Sequence, residues 1–369
     1  MEFHFDARPN QGRETADKVR EKLREGPVFI VQSSALAIGM CIVTMLCWGS
    51  WANTQKLASK EWSFELYYWD YSIGVLLLAL LLAFTLGSSG GGGRGFLQDL
   101  AQADVKWLGA ACLGGVVFNL GTILLVAAID IAGMAVAFPV GVGLALVLGV
   151  ITTYYLTGVG DVPVLATGVG AIVVAIVLDA LAYKRLANNG SKGGGRSIKG
   201  IVVSVVAGLS MGWFYSFVAA SMATISTVSG HVALEPAGKL TSYTALVFFS
   251  LGLLGSSFIW NSIMMVMPLS GSPVPFSAYF TKGNLRLHLV GIAGGVIWSL
   301  GMCFNVIAST KAGAALAYGL GQGATLIGAF WGVFIWREFK NAPKGTSVFL
   351  AAMFLFYLLG LGILIVSKT

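Results

Sequence analysis

Ten apolar blocks, at about 35–58, 66–87, 107–129, 133–157, 162–183, 199–222, 241–267, 287–308, 313–336 and 346–366, constrain this chain more than any other feature. Each is long enough for a helix to cross roughly 30 Å of hydrocarbon, where the backbone must satisfy its own hydrogen bonds. Composition points the same way: 56% of the residues are hydrophobic and 11% charged, against roughly 25% charged in a soluble domain. The 23 Lys+Arg and 16 Asp+Glu cannot clothe a water-facing surface for 369 residues, which excludes a soluble enzyme. The expected fold is all-α and integral to the membrane, with ten transmembrane helices. The first block is not a cleavable signal peptide, because it is long, follows a mixed-charge tail and ends in Trp48 and Trp51 rather than small residues. Connections at 130–132, 158–161 and 309–312 are so short that their flanking helices must form antiparallel hairpins.

The formal charge of +7 sits in short loops between the blocks, where basic residues set topology, so no nucleic-acid partner is implied. Cys41, Cys47, Cys112 and Cys303 all fall inside apolar blocks and read as small packed side chains, with no disulfide framework or metal site. The polar tail, 1–34, balances six basic against six acidic residues over 1–27 and stands apart from the fold. Two glycine-rich stretches, Ser88 to Gly95 and Asn188 to Gly195, read as flexible loops. No phosphate loop with a Gly-Lys-Ser/Thr ending occurs, which argues against an ATP-driven pump, and no cofactor is implied.

An internal repeat organises the blocks. A shift of 180 residues lays Gly114-Gly115-Val116 on Gly294-Gly295-Val296, Gly121 on Gly301, Ala132-Gly133 on Ala312-Gly313, and Ala135, Ala137, Gly141 and Gly143 on Ala315, Ala317, Gly321 and Gly323. With Leu120, Val126 and Ala128, 13 of the 30 positions from Gly114 to Gly143 are identical. The chain therefore reads as a first five-helix repeat, 35–185, a glycine-rich linker, 186–198, and a second five-helix repeat, 199–369. Five is odd, so the second copy enters the membrane inverted. Inverted repeats place a solute site near the bilayer midplane between halves that rock to give alternating access. The repeated glycines also have a packing role, since small residues let membrane helices approach closely.

Polar groups inside the blocks are few, and each needs a partner or a function. Asn119, Asn261, Asn305 and Gln322 fall in block interiors, and Trp48, Trp51, Trp213, Tyr215, Trp298 and Tyr318 offer flat amphipathic walls. Carboxamides and aromatic faces suit a neutral, hydrogen-bonding solute, although both residue types also serve helix joints and interfacial belts. Trp48, Trp51, Asn119, Trp213, Asn305 and Gln322 are the expected binding residues. Asp70, one turn into the aromatic run Tyr67-Tyr68-Trp69-Asp70-Tyr71, is the expected coupling or gating carboxylate. A structural role is also open to it, opposite the helix N-terminus or against Lys56. His4, His231 and His288 are dispersed, so no catalytic or metal-binding cluster is visible, and His231 with Glu235, one helical turn apart in the loop after span six, reads either as a solvated loop pair or as a lid or proton site.

Trp48-Gly49-Ser50-Trp51, Trp69-Asp70-Tyr71-Ser72 and the Ala132-Gly133-Met134-Ala135 hairpin resemble the drug/metabolite transporter superfamily, and within it the ureide permease and bacterial glucose/rhamnose permease branches. The resemblance covers about 35–366. It implies a ten-helix, five-plus-five inverted architecture, in agreement with the repeat. In ureide permeases the first span carries a Gly-Thr-Trp-Pro-like turn and the second a Leu-Asp-Tyr. Here Gly49-Ser50-Trp51-Ala52 and Trp69-Asp70-Tyr71 occupy those places, with the proline lost. The long central loop of plant ureide permeases is replaced by the short Lys184 to Lys199 connection. The resemblance implies a symporter that takes up ureides, nucleobases or related heterocycles with protons as coupling ion. The sugar branch implies a monosaccharide instead, and a lipid-moving or structural membrane role is the reading of another class. The expected location is a plasma or inner membrane.

Overall fold

The computed structural model describes residues 28–58, 61–90, 92–158, 160–188, 198–228 and 231–366. The polar tail over 1–27 and most of the central linker, 189–197, lie outside the described residues. Ten helical spans cross the structure, at Ser34–Ala58, Phe64–Ser88, Val105–Ala132, Val136–Thr157, Val162–Leu186, Ile198–Ser221, Ser242–Val266, Leu285–Ala312, Ala314–Ile335 and Thr346–Val366. They fall where the apolar blocks predict. Spans one, seven and eight start on polar N-caps: Ser33 accepts from Leu36 N, Thr241 from Thr244 N, and Asn284 from Leu287 N.

The tight turns between spans three and four and between spans eight and nine are each one glycine, Gly133 at φ 77° and Gly313 at φ 91°. These two residues are 180 positions apart, and only glycine takes that backbone without strain. Each donates its N–H to the carbonyl four residues back, Ile129 and Ser309, and the next helix begins at once.

Alternating directions give two membrane faces. The linker face carries the end of span five, the start of span six and the described connections after spans one, seven and nine, namely 61–63, 267–284 and 336–345, and the other face carries the start of span one, the end of span ten and the span-six to span-seven connection. That connection is an antiparallel hairpin, β1 (Thr224–Val228) with β2 (His231–Glu235), in the register Thr224↔Glu235 to Val228↔His231. His231 and Glu235 are thus the two ends of one strand, not a pair one helical turn apart, because extended backbone rises about 3.3 Å per residue.

Span three packs on spans six and seven, span eight on spans one and two, and spans five and ten on each other. Glycines set the closest crossings. A Cβ at Gly115 would land on the Phe249 carbonyl and one at Gly252 on the Cys112 carbonyl, joining spans three and seven. Gly295 against Tyr71 and Gly74 against Ile292 do the same for spans eight and two.

The face with the hairpin is closed by a clasp. Asp99, fully buried, accepts from Arg94 Nε at 2.9 Å and from Thr241 N at 2.7 Å. Arg94 also donates to the carbonyls of Leu234 and Lys239, and Gln102 exchanges bonds with Lys239 and Gly238. The described part of the stretch from Ser88 to Gly95, expected as a flexible loop, is held by this clasp and by a bridge between Gly92 and Val28. Its glycines serve the close approach of two loops rather than freedom.

Candidate functional site

Sequence periodicity expects span nine as one helix, but it breaks at Gln322-Gly323 between helices Ala314–Gly321 and Ala324–Phe330, then widens into a π turn over Trp331–Ile335. Three glycines in five residues, Gly319, Gly321 and Gly323, weaken the helix there. Span one is interrupted at Trp51, between Ser34–Ser50 and Ala52–Ala58. Both interruptions border the same space, a cavity of about 660 Å³.

The floor of the cavity is aromatic. Trp48 and Trp298 stack at 5.9 Å with 13° between planes, and Trp48 Nε1 donates to the Trp298 carbonyl. Phe118 meets Trp298 at 4.6 Å and Phe214 at 4.8 Å. Tyr318 closes the far side, its hydroxyl near the carbonyls of Ala145 and Met211. These rings come from the middles of spans one, three, six and eight and from span nine, so the floor lies at mid-membrane. Lining residues nearer the linker face include Asn53, Gln55, Lys56, Asp130, Asp179, Tyr183, Trp336 and Glu338. The cavity therefore opens toward the linker face, while the clasp shuts the opposite one.

Polar groups differ in what they leave available. The side chains of Gln55 and Gln322 make no hydrogen bond among the described residues, so their donors and acceptors face the cavity unmatched. Asn53 is occupied, accepting from Trp336 Nε1 at 2.6 Å and donating to the Ser50 carbonyl. At the mouth, Lys56 Nζ meets Glu338 Oε1 at 2.6 Å and lies over the Trp336 ring, while Tyr183 donates to Glu338 Oε2 at 2.8 Å. Arg337, beside Glu338, has φ 52°, a left-handed backbone that strains a non-glycine residue.

Asp70 stands apart from the cavity. It is buried between spans two and eight, receives the Tyr279 hydroxyl at 2.5 Å and lies 3.0 Å from His288 Nδ1. Tyr279 sits in the 267–284 loop, and its phenol is pushed above its ordinary range first by burial, then by the bond to Asp70 and Asp70's charge, so it remains a donor. The group pins that loop to the bundle.

The family model of the ureide permeases matches residues 67–194 and 191–367. The chain belongs to the ureide permease family. Among the relatives of this family member, Ureide permease 1 of Arabidopsis thaliana is 23% identical over 92% of this chain and 99% of its own length. Probable ureide permease A3 of Vigna unguiculata is 23% identical over 86% of this chain and 100% of its own. A solved crystal structure superposes on 90% of this chain and 96% of its own with a TM-score of 0.58 at 15% identity, which shows a shared fold. This ureide permease family member is a multi-pass integral membrane protein and a transporter rather than an enzyme.

Within this family member, the expected binding residues part company. Trp48, Trp51 and Gln322 line the cavity together. Asn119 and Asn305 are fully buried outside its lining. Asn119 Nδ2 donates to the Leu253 carbonyl and reaches Ser256 Oγ, fastening span three to span seven; Asn305 Nδ2 donates to the Ala317 carbonyl at 2.7 Å, fastening span eight to span nine. Trp213 points outward and is 48% exposed, because Gly212 turns the inner face of span six onto Leu148. Lys56, one expected partner of Asp70, instead pairs with Glu338. Sequence reasoning missed Phe118 and Phe214; for Phe118 the 180-residue shift was a usable signal, since it aligns with Trp298 as Phe138 does with Tyr318, whereas Phe214 has no aromatic counterpart under that shift. It also missed the Asp70 partner His288, for which no local pattern exists.

Proposed function

We propose that this chain is a secondary active permease that moves a small neutral polar solute of the ureide or nucleobase type by alternating access through the central cavity. The observation that carries the reading is a one-sided cavity ending at mid-membrane on the rings of Trp48, Phe118 and Trp298, with the Gln322 carboxamide unmatched beside them. Its volume lies in the ~300–1,000 Å³ range of small-molecule sites. Flat heterocycles stack on such rings, and ureide N–H and C=O groups match a carboxamide. The names of the curated relatives support the ureide class over the monosaccharide and lipid readings.

Two five-helix halves, 35–185 and 199–369 around the linker 186–198, are part of the proposal. The packing of span three on spans six and seven, and of span eight on spans one and two, supports inversion, since exchanging the halves maps one set onto the other. The same layout supports placement in the drug/metabolite transporter superfamily. Without the 1–27 tail the linker face carries the excess of Lys and Arg, which favours a cytoplasmic linker face in the cell membrane and makes this an inward-open state. Asp70, held by Tyr279 and His288, then acts as a gating clasp on that face. Coupling to protons drives accumulation.

The test is uptake of radiolabelled allantoin, uracil and glucose into proteoliposomes, with and without an inward proton gradient. Gradient-stimulated accumulation of allantoin or uracil is the expected result. Accumulation of glucose alone moves the protein to a sugar permease, and uptake indifferent to the gradient removes proton coupling.

A further inference from the structure

Span five holds a carboxylate that neither the fold nor the solute reading uses. Asp179 is 7% exposed, lines the cavity, and its Oδ1 has no hydrogen-bond partner among the described residues and no solvent contact. A carboxylate within a membrane span that serves only structure is matched by donors, as Asp70 is by Tyr279 and His288. Asp179 lacks that match on one oxygen and faces the route of the solute.

The groups around it are few. Tyr183 lies one turn further along span five and gives its hydroxyl to Glu338, which is within Coulombic reach of Asp179 and is held by Lys56. Spans four and ten pack against span five and bring Tyr154, Tyr155 and Tyr357 as their titratable residues. Asp130 lines the same mouth. With Asp179 protonated, the three groups Lys56, Glu338 and Asp179 are neutral together; without the proton they carry one negative charge.

We propose that Asp179 is the proton-binding site that couples solute movement to the proton gradient in this permease. The inference rests on the transporter reading above and transfers the coupling role from Asp70 to Asp179. A proton taken from the side of higher proton concentration binds the Asp179 carboxylate when the cavity faces that side. The acid is then neutral, and the cavity closes around it and the solute without burying an unpaired charge next to Glu338. When the cavity opens to the other side, water re-enters, Asp179 releases the proton there, and one proton has crossed with the solute. A bare metal cation fits less well, because it needs several oxygen ligands and the Glu338 oxygens are already engaged by Lys56 and Tyr183.

Two readouts test this. In purified protein, infrared difference spectra between acid and alkaline pH should show the carbonyl stretch of a protonated carboxyl that Asp179→Asn removes and Asp179→Glu retains, shifted. In proteoliposomes, wild-type protein should accumulate radiolabelled allantoin or uracil severalfold above equilibrium under a proton gradient. Asp179→Asn should fall to the level reached without a gradient, and Asp179→Glu should keep stimulation. Gradient-driven accumulation that survives in Asp179→Asn, or that follows a sodium gradient instead, overturns the proposal. An infrared band unchanged in folded Asp179→Asn overturns it as well. If wild-type protein moves neither solute, the substrate assignment fails instead, and the infrared band alone then decides whether Asp179 binds a proton.

Discussion

Phe118 and Trp298 are 180 residues apart in the chain, aligned by the internal repeat, and their rings meet 4.6 Å apart at the floor of the cavity. Positions that correspond under the repeat and also touch lie where the two halves meet. On the proposed reading of two inverted halves, a solute resting on this pair would touch both, as alternating access requires.

The floor should carry solute affinity. Trp298→Ala or Phe118→Ala removes a stacking face and opens an apolar gap, and an aromatic pair contributes about 0.5–1.5 kcal/mol beyond its buried area. The expected effect is a rise of about tenfold in the KM for allantoin or uracil, corresponding to roughly 1.4 kcal/mol. Uptake kinetics of folded variants in proteoliposomes measure it. Trp213→Ala, on the outer surface of span six, should leave KM unchanged.

Gln322 and the two buried asparagines should separate by readout. Gln322→Ala removes an unmatched carboxamide from the cavity and should raise KM with little loss of thermal stability. Asn119→Ala and Asn305→Ala break joints between spans and should lower stability by about 1 kcal/mol, the scale of interhelical hydrogen bonds in membranes, with KM unchanged. Thermal unfolding in detergent beside uptake kinetics distinguishes the two classes; an Asn305→Ala protein with normal stability and a raised KM would place Asn305 in the solute path.

The Asp70 group should behave as one unit. Asp70→Ala leaves the half-buried His288 and Tyr279 hydroxyl without their acceptor, at a cost of about 1 kcal/mol, the lower end for unmet polar groups because water can reach them in part. A double-mutant cycle of Asp70→Ala with His288→Ala should show less than additive loss in thermal unfolding, because each single change already breaks the contact. Strictly additive losses would mean the two side chains do not interact.

Opening of the closed face should follow loss of the clasp. Asp99→Asn removes the charge that holds Arg94, and Thr310, beside the small pocket under the hairpin, should become reachable. In a cysteine-free background, Thr310→Cys should react severalfold faster with a membrane-impermeant thiol reagent when Asp99→Asn is also present. Unchanged labelling would show that the clasp does not hold this face shut.

The ten spans and their hairpin turns at Gly133 and Gly313 were legible because apolar length and glycine placement are local properties. Within the cavity, Trp48, Trp51 and Gln322 were legible by residue type. What was not legible depends on rotation and partners. Asn119 and Gln322 look alike in sequence, yet one faces Ser256 on span seven and the other an open space at a helix break. Asp179 looks like a residue near the end of span five, and its burial depends on the packing of spans four and ten around that helix. His288 finds Asp70 across 218 positions, which no spacing rule anticipates.

The most direct test of the central claim is allantoin and uracil counterflow in proteoliposomes, compared between wild-type protein and Trp298→Ala of equal folded content. Exchange of either solute by the wild type, with apparent affinity reduced about tenfold in the variant, is the predicted result. Exchange of neither solute, or exchange with the same affinity in both proteins, would contradict a solute path through this cavity.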